Sequence, residues 1–140
     1  MSTVLPVKTP DFLDALHSRV LIGDGAMGTQ LQGFDLDVET DFLGLEGCNE
    51  ILNDTRPDVV AQIHRAYFTA GADLVETNTF GCNLPNLADY NIADRCQELA
   101  YKGTRIARTV ADELGPGRDG MRRFVLGSMG PGTKLPSLGH

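Results

Sequence analysis

Three apolar stretches of this sequence each run into a polar, glycine-rich segment, and stretches with helical periodicity separate them. The three segments read GDGAMG (23–28), ETNTFG (76–81) and GSMGPG (127–132). The resulting order, β-α-β-α-β, predicts an α/β fold. Right-handed crossovers between parallel strands bring the carboxyl ends of all the strands to one edge of the sheet. Barrels and open sheets both bind their ligands at that edge, so these segments predict a shared binding site.

The individual elements are predicted from apolar periodicity and from end signals. Strands are expected near 20–24, 72–79 and 123–128, a short helix over 11–19, a turn of helix within 26–34, and longer helices over 56–70 and 91–114. In the helix over 56–70, Thr55 and Asp58 form a T-x-x-D capping pattern with Pro57 in the first turn, and Gly71 ends it. Its His64 is interpreted as a solvated or edge-packed histidine rather than a catalytic one.

The longer of the two main helices shows similar signals. Asn91 is predicted to cap it, with Asp94 at the third position, and Gly115 followed by proline ends it. Gly103 lies on its apolar stripe, where glycine costs about 1 kcal/mol relative to alanine. This residue therefore suggests close packing on the sheet. The segment 33–54 is a long, acidic, loop-like excursion, and excursions of that length are usually functional or disordered.

The first glycine-rich segment contains the pattern G-x-G-x-x-G, formed by Gly23, Gly25 and Gly28. A dinucleotide-binding turn places a pyrophosphate on backbone N–H groups at a helix N-terminus. Here Asp24 would repel the diphosphate, and the next strand candidate, 72–80, comes too late for a unit of about 30 residues. A tight turn without a ligand is a second interpretation. A loop that holds a small cationic or zwitterionic ligand is favoured over both.

Composition limits the class of protein. The chain has 140 residues, 41% of them hydrophobic, and a formal net charge of −7 at pH 7, which is typical of one globular domain. The acidic balance argues against nucleic acid or an anionic membrane as a partner. No apolar run approaches the roughly 20 residues of a membrane span, and the first ten residues lack the apolar segment of a secretion signal. A cytoplasmic location is expected.

The three cysteines, Cys48, Cys82 and Cys96, are widely separated. None belongs to a closely spaced pair of the kind that structural zinc sites favour, so neither a disulfide nor a zinc site within this chain is expected. Cys96 falls on the apolar stripe of the long helix and is interpreted as a small buried hydrophobe. Cys48 and Cys82 lie in loop-like sequence and are interpreted as free thiols.

Four stretches resemble a known family: DGAMGT (24–29), NEILNDTRPDVVAQIHRAYFTAGADLVETNTF (49–80), LADY (87–90) and GSMGP (127–131). Together they resemble the N-terminal homocysteine-binding domain of cobalamin-dependent methionine synthases. Betaine-dependent and other homocysteine S-methyltransferases share the general pattern more loosely. The resemblance implies a (β/α)8 TIM barrel, of which residues 1–140 supply a β-α-β-α-β portion, since a barrel needs roughly 200 or more residues.

The resemblance also implies the chemistry. In the family, Zn²⁺ binds the homocysteine thiol, and the thiolate takes a methyl group from methylcobalamin to give methionine. The family's zinc-ligand cysteines lie in G-x-N-C and G-G-C-C stretches that this sequence lacks, so no metal ligand and no catalytic residue is assigned here, and the chain alone is expected to be inactive. Homocysteine and later folate and cobalamin domains of the same enzyme are the implied partners.

The resemblance assigns a substrate-binding set to this sequence. Asp24 matches the family's acid that faces the substrate ammonium group, and the backbone nearby lies close to the same end of the amino acid. Strand alternation leaves open whether Glu76 and Asn78 or Thr77 and Thr79 point into the barrel. The predicted substrate-binding residues are Asp24, Gly25, Ala26, Met27, Glu76, Asn78 and Ser128.

Two other classes of function remain open at this point. One is a non-catalytic small-molecule binding module of the flavodoxin or Rossmann type, which Asp24 argues against. The other is a module that self-associates through exposed strand edges. Parallel sheets are normally buried on both faces, so an incomplete barrel leaves apolar side chains without cover unless the 33–54 excursion folds over them. The side chains that are not all expected to find cover are Leu21, Leu74, Val75, Val125 and Leu126.

Overall fold

The computed structural model describes residues 11–134 and residue 137. The α-helices are α1 (Phe12–Ser18), α2 (Met27–Leu31), α3 (Leu52–Thr55), α4 (Pro57–Ala70), α5 (Leu84–Asp89) and α6 (Cys96–Leu114), and the strands are β1 (Leu74–Glu76) and β2 (Phe124–Leu126). The strands pair in parallel, with Val75 opposite Val125. The crossover between them contains α5 and α6. No helix in the described ranges has both the length and the apolar character needed to cross a membrane.

The helix predicted over 56–70 is confirmed to within one residue as α4. It ends at Gly71, whose φ of +111° is a left-handed conformation that glycine adopts readily. The predicted capping by Thr55 is wrong, because Thr55 is the last residue of α3 and its hydroxyl donates to the carbonyl oxygens of Asp41 and Ile51. The first residue before α4 is Arg56, which makes no side-chain cap.

His64 is fully buried on α4, with no exposed surface. The prediction of a solvated or edge-packed side chain is therefore wrong. Neither ring nitrogen has a hydrogen-bond partner in the described part of the chain. Burial disfavours the charged imidazolium and lowers the pKa of His64 to about 4.

The predicted beginning of the long helix at Asn91 is also wrong. Asn91 has a φ of +59°, a short 3₁₀ turn follows at Ala93–Arg95, and α6 begins at Cys96. The predicted end at Leu114 is confirmed. The expectation of close packing at Gly103 is confirmed, because a Cβ atom there would lie 2.6 Å from Asn53 Nδ2 and 2.9 Å from Thr79 Cγ2. Cys96 is partly buried and packs against the core.

The segment 20–24, predicted as a strand, runs beside β1 but is not one. The Ile22 carbonyl accepts from the N–H groups of Asp73 and Leu74, at 2.8 and 3.3 Å. Carboxylates replace the other ladder partners: Asp73 accepts from the Ile22 N–H, and Asp24 accepts from the Glu76 N–H. The side chains of Asp73 and Asp24 therefore accept from backbone N–H groups that would bond to backbone carbonyls if 20–24 were a regular third strand.

An ion cluster fixes the amino end of β1. The buried Asp73 carboxylate pairs with Arg19 at 2.7 Å and with Arg118 at 2.6 Å. These guanidinium groups hold the pKa of Asp73 well below its usual range. The cluster joins the end of α1, the start of β1 and the loop before β2.

The 33–54 excursion is an ordered part of the hydrophobic core. Cys48, Ile51 and Leu52 are fully buried and pack with the inward faces of α4 and α6. The opposite side of the sheet is less covered. Val75 is fully buried because it faces the helices, and Val125, which lies opposite it in the sheet, is partly buried against the same cluster. Leu21, Leu74 and Leu126 are half-buried, so the five side chains are not all covered. The large apolar side chains left exposed on or near the strand segments are Val20, Ile22, Phe80 and Met129.

Candidate functional site

A cleft of about 430 Å³ lies where the segments after the strands meet. Every residue of the predicted substrate-binding set lines it: Asp24, Gly25, Ala26, Met27, Glu76, Asn78 and Ser128. Residues that the sequence interpretation did not select complete the lining: Gly28, Asn49, Glu50, Thr77 and Phe80. The three glycine-rich segments therefore come together, as the parallel topology predicts.

Asp24 is half-buried at one side of this cleft. Both of its carboxylate oxygens lie 3.1 Å from the backbone nitrogen of Glu76, which donates to them. The pKa of Asp24 is raised to about 6, mainly because burial disfavours the charged form. The Glu76 N–H lowers this pKa, and the nearby negative charge of Glu76 raises it further. The carboxylate forms no ion pair with a described residue, so a cationic ligand would relieve its desolvation.

The direction of Glu76 follows from the alternation of β1. Val75 packs against the helices, so Leu74 and Glu76 face the other side of the sheet. A Cβ atom on Gly23 would lie 3.3 Å from Leu74 Cδ1, so Gly23 presents its Cα to the same side. The Ser128 hydroxyl donates to Glu76 Oε2 at 3.0 Å. Glu76 and Ser128 thus form one polar wall of the cleft.

Thr77 and Thr79 connect the ends of the two strands. Thr77 Oγ1 accepts from the Ser128 N–H at 3.0 Å, and the two threonine hydroxyls lie 2.6 Å apart. Thr79 Oγ1 donates to the Ser128 carbonyl at 2.8 Å. Both threonines are buried, so they hold Ser128 in place beside Glu76.

Asn78 lines the cleft, but its amide nitrogen is committed to the protein. It donates to the Asn49 carbonyl at 2.8 Å and to Asn53 Oδ1 at 3.0 Å. Asn53 Nδ2 in turn donates to the carbonyls of Asn78 and Leu99. This amide pair ties the floor of the cleft to the 33–54 excursion and to α6.

Glu50 is a buried carboxylate that the sequence interpretation missed. It is 7% exposed, and its Oε1 accepts from the Gly81 N–H at 2.7 Å. The Cys48 thiol lies 3.9 Å from Oε2. The length of the acidic excursion indicated that 33–54 is either functional or disordered, but no local pattern distinguished Glu50 from the other acids there.

The charge of the cleft has one sign. Asp24, Glu50 and Glu76 are carboxylates, and no Lys, Arg or His occurs among the described residues of the lining. Opposite charges attract strongly where the dielectric constant is lower than in water. The cleft is therefore suited to a ligand that carries a positive charge and unsuited to a phosphate or a diphosphate.

The described residues do not fit a zinc site. No group of three or more His, Cys, Asp and Glu side chains within 11–134 is arranged to hold a metal ion. Burial raises the pKa of the Cys48 thiol and raises that of Cys82 to about 12. Both are therefore neutral thiols at neutral pH in the metal-free protein.

Comparison with known proteins gives consistent matches. A family model described as homocysteine S-methyltransferase matches residues 21–140. The methionine synthase of Mycobacterium tuberculosis (strain ATCC 25618 / H37Rv) is 71% identical over 131 residues, which cover 93% of this chain and 11% of that protein. The methionine synthase of Mycobacterium leprae (strain TN) is 67% identical over 130 residues, which cover 93% of this chain and 10% of that protein.

Solved structures show the same fold. The homocysteine methyltransferase MmuM from Escherichia coli matches in its oxidized form with a TM-score of 0.68 and 22% identity, over 86% of this chain and 41% of that one. Its metallated form matches with a TM-score of 0.66 and 21% identity, over 84% of this chain and 40% of that one. This chain thus spans less than half of these structures and about a tenth of the two methionine synthases.

Proposed function

Since this chain belongs to the homocysteine S-methyltransferase family, we propose that its cleft binds the amino-acid end of homocysteine in a protein of the methionine synthase type. The observation that carries the proposal is the half-buried Asp24 carboxylate, which has no cationic partner among the described residues and lines a cleft whose charged side chains are all acidic. The ammonium group of homocysteine would supply the missing positive charge.

The proposed roles of the residues follow from their positions. Asp24 accepts a charge-assisted hydrogen bond from the substrate ammonium group. Glu76 adds negative charge from the same side of β1, and Ser128 keeps its carboxylate in place. The backbone of Gly25, Ala26 and Met27 forms the adjoining wall, against which the rest of the amino-acid end lies.

The reaction itself would need parts beyond the described residues. The resemblance to methionine synthases implies that the homocysteine thiolate accepts a methyl group and becomes methionine, with Zn²⁺ and methylcobalamin as cofactors. The described residues form no group that could hold the metal ion, so the role proposed for this chain is to bind and orient the substrate. Betaine-dependent and other homocysteine S-methyltransferases remain the alternative for the methyl donor.

We also propose that the fold is the first part of a (β/α)8 barrel. The segment 20–24, β1 and β2 would then be neighbouring strands of that barrel. Their exposed apolar side chains would face the remaining strands. The coverage of about two fifths of the MmuM chains supports this interpretation. Later folate and cobalamin domains would be partners within the same protein.

A pair of ligands tests the proposal. Homocysteine and 4-mercaptobutanoate share the thiol and the carboxylate, but only homocysteine has the ammonium group. Isothermal titration of the complete protein should give a dissociation constant for homocysteine that is about 10 to 100 times lower, as expected for a hydrogen bond to a charged group. Equal affinities would contradict the assignment of Asp24 and its acidic neighbours to the substrate ammonium group.

A further inference from the structure

Tyr67 reaches from α4 to the turn that lines the cleft. Its hydroxyl group donates to the Ala26 carbonyl oxygen at 3.2 Å. A Cβ atom on Gly25 would lie 2.9 Å from Tyr67 Oη and 3.4 Å from Cε1 and Cζ. The tyrosine side chain therefore rests against the bare Cα atom of Gly25, closer than another residue type at that position would allow.

This hydrogen bond fixes the orientation of one peptide group of the turn. The described backbone contains no cis peptide bond. In a planar trans peptide, the C=O group and the N–H group that follows it point in opposite directions. Because the Ala26 carbonyl points toward Tyr67, the Met27 N–H points away from it, and both residues line the cleft.

Two hydrogen-bonded side chains attach the turn to the body of the protein, and the Met27 side chain packs against the core. Asp24 accepts from the Glu76 N–H and so fixes the turn to β1. Tyr67 fixes it to α4, which is a helix of 14 residues whose neighbouring side chains Ile63 and Phe68 are buried in the core. A helix anchored in this way is a rigid support, whereas the 24–28 turn is short and lies at the surface of the cleft.

We propose that Tyr67 is a positioning residue for the homocysteine site. Its hydroxyl group holds the turn over 24–27 in the conformation that receives the amino-acid end of the substrate. The inference rests on the function proposed above, and it assigns Tyr67 no contact with the substrate or with the reacting thiol.

The first test is Tyr67→Phe in the complete, cofactor-loaded protein. The KM for homocysteine should rise about three- to tenfold, which corresponds to the loss of one neutral hydrogen bond. The kcat should not change, because the lost contact supports binding rather than the transition state at the thiol. Propanethiol, which lacks the amino-acid end, should be methylated equally well by the wild type and the variant. Tyr101→Phe, at a 66% exposed position on α6, is the matched control.

A double-mutant cycle tests whether Gly25 and Tyr67 act through the same contact. Gly25→Ala should raise the KM in the wild type, because the new Cβ meets the hydroxyl oxygen first. The same change should be milder in the Tyr67→Phe background, where that oxygen is absent. Additive effects of the two substitutions would overturn the proposal.

The remaining outcomes separate positioning from simple stabilisation. An unchanged KM for homocysteine in Tyr67→Phe overturns the proposal, whether or not the melting temperature falls. A variant that loses as much activity toward propanethiol as toward homocysteine also overturns it. Hydrogen exchange of 25–31 without any ligand should be faster in Tyr67→Phe, and unchanged exchange would also overturn it. If the wild type does not bind homocysteine, the proposed function fails, whereas faster exchange would still show that Tyr67 holds the turn.

Discussion

Replacing Asp24 by Asn should weaken homocysteine binding and stabilise the fold at the same time. The change keeps the shape of the side chain, and the Asn oxygen can still accept from the Glu76 N–H. It removes the negative charge that, in our proposal, binds the substrate ammonium group. A hydrogen bond to a charged group contributes about 1.5–3 kcal/mol, so the dissociation constant should rise by a factor of about 10 to 150.

The effect on stability has the opposite sign. The pKa of Asp24 rises from 3.8 in the unfolded chain to about 6 in the folded protein. The folded state therefore holds this proton more tightly, and the group destabilises the protein progressively as the pH rises from 3.8 to about 6. Because the carboxylate is about half exposed, solvent screening reduces the penalty to roughly 1 kcal/mol. Asp24→Asn should raise the free energy of unfolding at neutral pH by about that amount.

Two measurements check this prediction. Titration calorimetry on both sides of pH 6 should show that homocysteine binding to the wild type weakens as Asp24 becomes protonated, whereas binding to Asp24→Asn should lack this transition. Urea denaturation should show the gain in stability. Asp35→Asn, at an exposed acidic residue outside the cleft lining, is the control and should change neither quantity. A dissociation constant unchanged by Asp24→Asn would show that this carboxylate does not bind the substrate ammonium group.

Three further predictions concern the fold. His64→Leu should make the free energy of unfolding less dependent on pH. The wild-type protein loses stability as the pH falls from 6.5 toward about 4, where the buried imidazole becomes charged. Denaturation at several pH values checks this prediction, and an equal pH dependence in the two proteins would contradict it. Gly103→Ala should lower the melting temperature despite a gain of about 1 kcal/mol in helix propensity, because its Cβ would lie 2.6 Å from Asn53 Nδ2; a higher melting temperature would be the contrary result. The isolated chain should self-associate in light scattering, since Val20 is 84% exposed and Met129 is 91% exposed; a monomeric mass at every concentration would show that the chain closes its own core.

The features that the sequence predicts well are those set by local rules. The α4 helix follows from its apolar period and from Gly71, and the meeting of the three glycine-rich segments follows from parallel topology. The selection of Asp24 followed from the chemistry of a carboxylate in a glycine turn and from the family resemblance. That part of the lining of the cleft could therefore be named before the structure was known.

The features that the sequence did not predict depend on contacts between distant residues. The segment 20–24 looks like a strand, but the carboxylates of Asp24 and Asp73 take the place of its ladder partners. In the sequence, Glu50 is indistinguishable from the acids of an exposed loop, and only the fold places its carboxylate where it accepts from the Gly81 N–H. His64 lies beside the apolar stripe in sequence, and only the packing of the whole domain encloses it. Tertiary context decides each of these cases.

We propose above that Asp24 binds the ammonium group of homocysteine. A crystal structure of the complete protein with homocysteine tests it most directly. We expect the substrate nitrogen to lie about 2.7–2.9 Å from an Asp24 carboxylate oxygen, in the cleft between the 24–27 turn and Glu76. A substrate amino group that lies outside this cleft, with Asp24 bonded only to the Glu76 N–H, would contradict it.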